Sequence, residues 1–305
     1  MNQNLSDKIN EYIKEKHDRL IRSVLVYHYG EVIVENYYNS CDENTKHQIK
    51  SIWKSIISLC IGICVDRGML ELDDPIKQYL EAFDQKLHPY HRILKVKDLL
   101  TMRSGIYWNG GIHYHCPMLA QMWRSDDWVE YIADGAMDSV PGREFVYKEW
   151  DIILLSALLA KVTDNSAYDF CNDNIYKPLN IISDRWGHGS GMINYNHIPG
   201  SEDSTNLTAL DLLKIGKLLL QEGEWEGKSI VSKSYVKQMT TSEHPEKTYG
   251  YLTWLYHGYY ACRGFGGQEI IVSPKKDLVT VIQAEASSSG KSYEELYTEL
   301  IQKSV

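Results

Sequence analysis

The distribution of apolar residues predicts helices and strands at both ends of the chain. Near the N-terminus, apolar residues recur every three or four positions, as on one face of an amphipathic helix. Residues 21–27 and 32–38 are rich in β-branched and aromatic residues and flank the turn pair Tyr29-Gly30, so they predict a hairpin. Strand-like segments return near the C-terminus, at residues 250–256, 268–272 and 278–283. Strands from the two ends can therefore pair into one antiparallel sheet, with the terminal helices on one face.

The central part of the chain has a different pattern, dominated by helices. Residues 51–68 are apolar around almost the whole helix circumference, which indicates a buried helix. Residues 73–207 alternate helical segments with long loops. We therefore expect an α+β fold, in which an antiparallel sheet flanked by helices carries an inserted, mostly helical region. Residues 1–72 and 208–305 would form a discontinuous sheet domain and residues 73–207 a helical domain, with the active site at the seam, where ligand sites tend to form.

Composition and charge narrow the class of protein. The 305 residues include 32 Lys plus Arg and 41 Asp plus Glu, a formal net charge of −9, and 43% apolar residues, which is typical of a globular protein. The acidic balance argues against nucleic-acid binding, and no run of basic residues suits a membrane surface. No export signal or membrane-spanning stretch is recognisable, and the six cysteines form no CxxC pair. A cytoplasmic protein with reduced thiols is therefore expected.

The first candidate for chemistry is Ser51-Ile-Trp-Lys54, at the start of the buried helix. Residues three apart lie on one helix face, so the amine of Lys54 can take the proton of the Ser51 hydroxyl if burial lowers the pKa of Lys54. The spacing alone is poor support, because Ser-x-x-Lys occurs three further times, and this copy alone opens a buried helix. Two interpretations stay open. The two residues form a catalytic pair, or Ser51 is an ordinary N-cap and Lys54 buries its aliphatic stem while its ammonium reaches solvent.

Two other segments can contribute to the same chemistry. Tyr147 follows the Pro141-Gly142 turn and precedes a helical segment, so its phenol can relay a proton during acyl transfer. With 22 tyrosines in the chain, ordinary packing is the competing interpretation of Tyr147. Residues 264–267 include three glycines, which let the backbone approach a ligand and supply an oxyanion-hole donor. A β-bulge at a sheet edge is the alternative for this segment.

Other familiar motifs are missing from the sequence. The histidine pairs His88/His91 and His113/His115 have no carboxylate or cysteine partner at a recognised metal-site spacing, and HExxH does not occur. We therefore expect neither a metal nor another cofactor. Ser104-Gly105 does not form the GxSxG turn of α/β-hydrolases, which excludes that class.

Taken together and in this order, the segments resemble the serine β-lactamase and penicillin-binding-protein superfamily, which carries a Ser-x-x-Lys motif. The similarity is closest to the class C-like branch, which contains esterases and 6-aminohexanoate-dimer hydrolases. It covers nearly the whole chain, and the matching pieces are Ile49-Lys-Ser-Ile-Trp-Lys-Ser55, Val65-Asp-Arg-Gly68, Asp98-Leu-Leu-Thr-Met-Arg-Ser-Gly105, Pro141-Gly-Arg-Glu-Phe-Val-Tyr147 with Leu154-Leu-Ser-Ala, and Gly264-Phe-Gly-Gly-Gln268 with the 274–277 turn. The resemblance implies a β-lactamase/transpeptidase-like fold and acyl transfer to a serine.

The resemblance also implies a role for each matching residue. Ser51 would be the acylated nucleophile, Lys54 its neutral base and Tyr147 a second proton carrier. The Lys-Thr-Gly strand of the family falls on Cys262-Arg-Gly264. The backbone N–H groups of Ser51 and Phe265 would then form the oxyanion hole. The positions implied to bind substrate are Glu149, Cys262, Arg263 and Gly264.

Two of these positions depart from the family pattern. The family's Tyr-x-Asn is Tyr147-Lys-Glu149 here, and a carboxylate facing the site from Glu149 or Asp151 would raise the pKa of Lys54 and weaken it as a base. Cys262 replaces the lysine of Lys-Thr-Gly, which removes a cation that favours the carboxylate of penicillins. Both changes point to a different acyl substrate.

We therefore expect a serine hydrolase that cleaves a small ester or amide through an acyl-enzyme on Ser51. Its partner would be a small-molecule ester, amide or β-lactam, not a nucleic acid or a membrane. One alternative is a β-lactamase or D-Ala-D-Ala peptidase, which the missing export signal disfavours because peptidoglycan lies outside the membrane. The other is a catalytically inactive relative that kept the fold as a binding protein or scaffold.

Overall fold

The computed structural model describes residues 2–86, 88–111, 116–286 and 291–305. In chain order the strands are β1 (Ile21–His28), β2 (Glu31–Tyr37), β3 (His47–Gln48), β4 (Gly187–His188), β5 (Asn194–Tyr195), β6 (Asn206–Leu207), β7 (Glu224–Trp225), β8 (Lys228–Ser229), β9 (Trp254–Tyr256), β10 (Tyr259–Gly264), β11 (Gln268–Ser273) and β12 (Leu278–Ala284). The helices are α1 (Gln3–Glu15), α2 (Ile52–Asp66), α3 (Glu81–Asp84), α4 (Pro89–Ile93), α5 (Val96–Leu100), α6 (Pro117–Met122), α7 (Trp128–Ala133), α8 (Glu149–Thr163), α9 (Ala167–Cys171), α10 (Ala209–Leu220), α11 (Lys233–Met239) and α12 (Gln302–Ser304). Short 3-10 turns lie at Ile76–Gln78 and Pro274–Lys276, and π-helical turns at Asn172–Tyr176 and Leu296–Ile301.

The main sheet joins the two ends of the chain. Its six antiparallel strands lie in the order β2-β1-β12-β11-β10-β9. Strand β1 pairs with β12, with Val24 opposite Ile282, so the N-terminal hairpin adds directly to the C-terminal strands. The predicted strand at 250–256 forms only in its last part, because Leu252 has a φ of 54° and interrupts the extended backbone. The α+β fold with one shared antiparallel sheet is confirmed.

Each face of the sheet is covered by helices. On one face, Leu5 and Ile9 of α1 pack with Leu296 and Tyr297 near the C-terminus. On the other face lie α2 and α10, whose core continues into the helical region. Every residue of α2 from Ile52 to Cys64 is buried, as its all-round apolar pattern predicts. Full burial of a large aliphatic side chain contributes about 1.5–3 kcal/mol, so α2 is held firmly in place.

Helix α8 brings the helical region to the start of α2. It packs against both α2 and α5. Its first residue is Glu149, and Tyr147 comes just before it. The beginnings of α2 and α8 therefore meet beside the end of β10, where the candidate residues converge. In the described part of the chain, no helix combines the length and apolar character that a bilayer crossing requires.

Candidate active site

Ser51 lies at the N-cap of α2, and its side chain makes no capping hydrogen bond. The preceding residue, Lys50, has a φ of 51°, a left-handed conformation that costs a non-glycine residue about 1–3 kcal/mol. Strand β10 passes very close to this turn at Gly264. A Cβ added to Gly264 would lie 2.3 Å from the Ile49 carbonyl oxygen, so glycine is needed where the strand passes the candidate nucleophile.

Lys54 lies one turn further along α2 and is almost completely buried. Its Nζ donates to Ser51 Oγ at 3.1 Å and to both carboxylate oxygens of Glu149 at 2.9 Å. Burial alone would lower the pKa of Lys54, but the charge of Glu149, with Tyr147 beside it, outweighs burial and raises this pKa. Lys54 is therefore an ammonium at neutral pH. The contact with Glu149 thus works against the expected neutral base, because the carboxylate favours the charged form of Lys54.

Tyr147 completes this group of side chains. Its hydroxyl interacts with the side chains of Ser51 and Lys54, and the Lys54 Nζ lies 5.0 Å from its ring centroid. The ring stacks on Trp254, with centroids 5.7 Å apart and planes at 24°. Burial raises the pKa of Tyr147, and the charge of Lys54 offsets only part of that rise. Tyr147 is thus a neutral phenol that can donate a proton.

Ser51 and Tyr147 face a cleft of about 450 Å³ that the glycine-rich segment borders. Gly264, Phe265 and Gly266 line it, opposite the start of α2. The φ of Gly266 is 82°, a conformation that favours glycine and turns the chain sharply after Phe265. The structure thus brings both residues of the predicted oxyanion hole to one cleft.

The side chains of Cys262 and Arg263 lie on opposite faces of β10. Cys262 is buried against Ser55 of α2, and burial raises the pKa of its thiol to about 11. The Cys262 side chain does not reach the cleft, in contrast to its implied role in substrate binding. Arg263 does line the cleft, but it is paired with Glu294 at 3.0 Å and lies 3.9 Å from Glu269. The guanidinium of Arg263 is therefore already paired with carboxylates of the protein.

A second cleft of about 470 Å³ lies on the other side of Tyr147. Tyr147 and Glu149 border it, and its other walls include Trp108, Trp123 and Tyr195. The Tyr195 hydroxyl donates to Glu149 Oε2 at 2.9 Å. This contact is not predictable from the sequence, because Tyr195 lies 46 positions from Glu149 and no motif connects the two residues.

Asp151, the other carboxylate considered near the site, points elsewhere. Its Oδ2 accepts from the backbone N–H of Ser104 at 3.3 Å. Burial raises the pKa of Asp151 to about 6, although the nearby Lys148 lowers it. Glu149, which begins the same helix, is therefore the carboxylate that sets the charge of Lys54.

No group of three or more metal-ligating side chains occurs among the described residues. His91 Nε2 is hydrogen-bonded to the Gly135 carbonyl, and His88 Nδ1 accepts from the Tyr90 backbone N–H at the start of α4. Both histidines therefore have structural partners. His113 and His115 lie outside the described residues.

An antiparallel sheet covered by helices, with a Ser-x-x-Lys helix packed against strand β10, is the arrangement of the β-lactamase/transpeptidase-like fold. The sequence model of the Beta-lactamase family matches residues 8–302, and the chain belongs to this family. An uncharacterised protein of Alkalihalophilus pseudofirmus is 24% identical over 307 aligned positions, which cover 85% of this chain and 82% of that protein. Protein flp of Staphylococcus aureus is also similar, but the matched part is only 36% of its length.

Solved structures show the same fold. A putative beta-lactamase from Bacteroides dorei has a TM-score of 0.78 and 17% identity, with 99% of this chain and 98% of that chain covered. A putative 6-aminohexanoate-dimer hydrolase from Bacillus anthracis has a TM-score of 0.76 and 17% identity, with 96% and 80% covered. The predicted membership of the β-lactamase and penicillin-binding-protein superfamily is confirmed.

Proposed function

We propose that this protein is a serine hydrolase that cleaves a small ester or amide through an acyl-enzyme on Ser51. The observation that carries the proposal is the contact of the Ser51 hydroxyl with both the Lys54 ammonium and the Tyr147 phenol. The hydroxyl lies at the mouth of a buried helix and faces an open cleft. A serine that served only as an N-cap would instead bond the first backbone N–H groups of α2, which Ser51 does not do.

Acylation in this site forms one bond and breaks another. Ser51 Oγ attacks the substrate carbonyl carbon, and the hydroxyl proton leaves through Lys54. The backbone N–H groups of Ser51 and Phe265 hold the developing oxyanion, an effect worth about 3–4 kcal/mol per donor. Tyr147 protonates the leaving group as its bond to the carbonyl carbon breaks. Water then hydrolyses the ester on Ser51 by the reverse sequence.

The two clefts suit an uncharged substrate with an apolar part. The second cleft has aromatic walls at Trp108, Trp123 and Tyr195, which suit an apolar acyl group. In the first cleft, Arg263 is paired with Glu294, so it offers little to a substrate carboxylate. Structural neighbours include a D-stereospecific amidohydrolase from Streptomyces and EstCE1, a hydrolase with promiscuous acyltransferase activity, which supports amide or ester cleavage in this fold.

Steady-state hydrolysis tests the proposal. We expect turnover of short p-nitrophenyl esters, much weaker turnover of a chromogenic cephalosporin, and loss of ester turnover in Ser51→Ala. Ser234→Ala is the matched control, because Ser234 and Lys237 repeat the same spacing at an exposed position. Faster cephalosporin hydrolysis would favour the β-lactamase alternative. Ester turnover that survives Ser51→Ala would contradict the proposed nucleophile.

A further inference from the structure

The proton that leaves Ser51 needs an acceptor, and the resting network restricts the choice. Lys54 is charged, and an ammonium has three donors and no acceptor. Its Nζ donates to Ser51 and to the Glu149 carboxylate. Tyr147 keeps its phenolic proton, because burial raises its pKa. In the resting state, therefore, neither Lys54 nor Tyr147 has a vacant basic site for this proton.

The Glu149 carboxylate lies at the other end of the same network. Both of its oxygens accept from Lys54 at 2.9 Å, and one also accepts from the Tyr195 hydroxyl at 2.9 Å. The ring of Tyr195 is held edge-on to Trp53, with centroids 5.6 Å apart, so the carboxylate has a fixed position. The Glu149 side chain is 16% exposed and borders the second cleft, so it is accessible to solvent.

We propose that Glu149 is the final proton acceptor of the acylation step and is reached through Lys54. The proposal deepens the proposed function and rests on it. As Ser51 Oγ bonds to the carbonyl carbon, its proton moves to Lys54 Nζ while a Lys54 proton moves to Glu149, and the carbonyl electron pair forms the oxyanion. When the oxyanion collapses, Tyr147 gives its proton to the leaving group. The resulting phenolate then regains a proton from Glu149 through Lys54, which restores the resting state.

This role differs from the one expected of a carboxylate that only holds Lys54 in its charged form. In that case, Glu149 would suppress the base and its removal would increase activity at neutral pH. If Glu149 receives the proton, its removal leaves a charged Lys54 without an acceptor. The two roles therefore predict opposite signs for the same substitution.

The test is Glu149→Gln, which keeps the size of the side chain but cannot take a proton at neutral pH. We expect kcat/KM for p-nitrophenyl acetate at pH 7 to fall by about 10²–10⁴-fold, the usual contribution of general acid–base catalysis. Because the charge of Glu149 raises the pKa of Lys54, its loss makes Lys54 easier to deprotonate. Activity of this variant should then rise by about tenfold per pH unit above neutrality, as the free amine becomes the base. Wild-type activity should be nearly constant over that range.

Two further variants separate this role from a purely structural one. Glu149→Asp keeps a carboxylate and should retain part of the neutral-pH activity, whereas Glu144→Gln, at an exposed position before the same helix, should leave the pH profile unchanged. A Glu149→Gln enzyme as active as the wild type at pH 7, or more active, would overturn the proton-acceptor role while the proposed function stands. A wild-type enzyme that neither turns over esters nor forms a fluorophosphonate adduct would overturn the proposed function itself.

Discussion

Replacing Lys54 by Met separates the structural and the chemical contributions of the buried ion pair. The Lys54 side chain is 2% exposed and that of Glu149 is 16% exposed, so the substitution leaves a largely buried carboxylate without its counter-charge. Removing one member of a buried ion pair lowers the free energy of unfolding by about 3–5 kcal/mol. Since Glu149 keeps the Tyr195 hydrogen bond and is partly exposed to solvent, we expect Lys54→Met to lose about 3 kcal/mol of unfolding free energy, near the lower end of that range.

The assay is urea unfolding of Lys54→Met and of the double variant Lys54→Met/Glu149→Met, with ester hydrolysis measured in parallel. Replacing both members of a buried pair by apolar side chains of similar size is often neutral or stabilising. The double variant should therefore recover most of the lost stability. Both variants should be inactive, because both lack the amine that contacts Ser51.

Two results would refute this reasoning. An unfolding midpoint unchanged in Lys54→Met would mean that the ion pair is hydrated or absent in solution. Ester turnover in the stable double variant would mean that the Ser51 proton leaves by a route that involves neither Lys54 nor Glu149.

Three other substitutions test the surroundings of the site. Tyr147→Phe keeps the ring stacked on Trp254 but removes the hydroxyl. We expect kcat to fall by about 10²-fold or more while the melting temperature stays nearly unchanged. A large loss of stability instead would make Tyr147 a packing residue. Gly264→Ala places a Cβ against the Ile49 carbonyl oxygen. We expect the free energy of unfolding in urea to fall by about 1–3 kcal/mol, and kcat to fall as well. Wild-type kinetics would instead show that strand β10 and the Ser51 turn can move apart without cost. Asp151 has a folded-state pKa raised to about 6 from 3.8, so its ionisation destabilises the fold progressively from about pH 4 to pH 6. At about 1.4 kcal/mol per pKa unit, the unfolding free energy of Asp151→Asn relative to wild type should rise by about 2.5 kcal/mol between pH 4 and pH 7. A pH-independent difference would contradict the raised pKa.

Local pattern was enough to predict the N-terminal hairpin and the buried helix. The hairpin at β1 and β2 follows from two β-rich segments around Tyr29-Gly30, and α2 follows from apolar residues on every face. The contact of Ser51 with Lys54 also follows from sequence, since residues three apart share a helix face. These features depend on neighbours in the chain, which is why the sequence alone predicts them. The proposed boundaries at residues 72 and 207 remain predictions.

The charge state of the site depends on contacts between distant segments. Glu149 begins one helix, Lys54 lies on another and Tyr195 on a short strand, so only the assembled fold shows that they bond to each other. The burial of Cys262, by contrast, could be predicted from the sequence. Because neighbouring side chains in a strand alternate between faces, Cys262 and Arg263 cannot both face the cleft, and the aliphatic surroundings on the helix side favour the cysteine as the buried one.

Intact-mass spectrometry with a fluorophosphonate reagent tests the central claim most directly. The account predicts one adduct on the wild-type protein and on Ser234→Ala, and none on Ser51→Ala. A wild-type spectrum identical to that of Ser51→Ala would contradict a reactive Ser51 and favour a relative that kept the fold for binding alone.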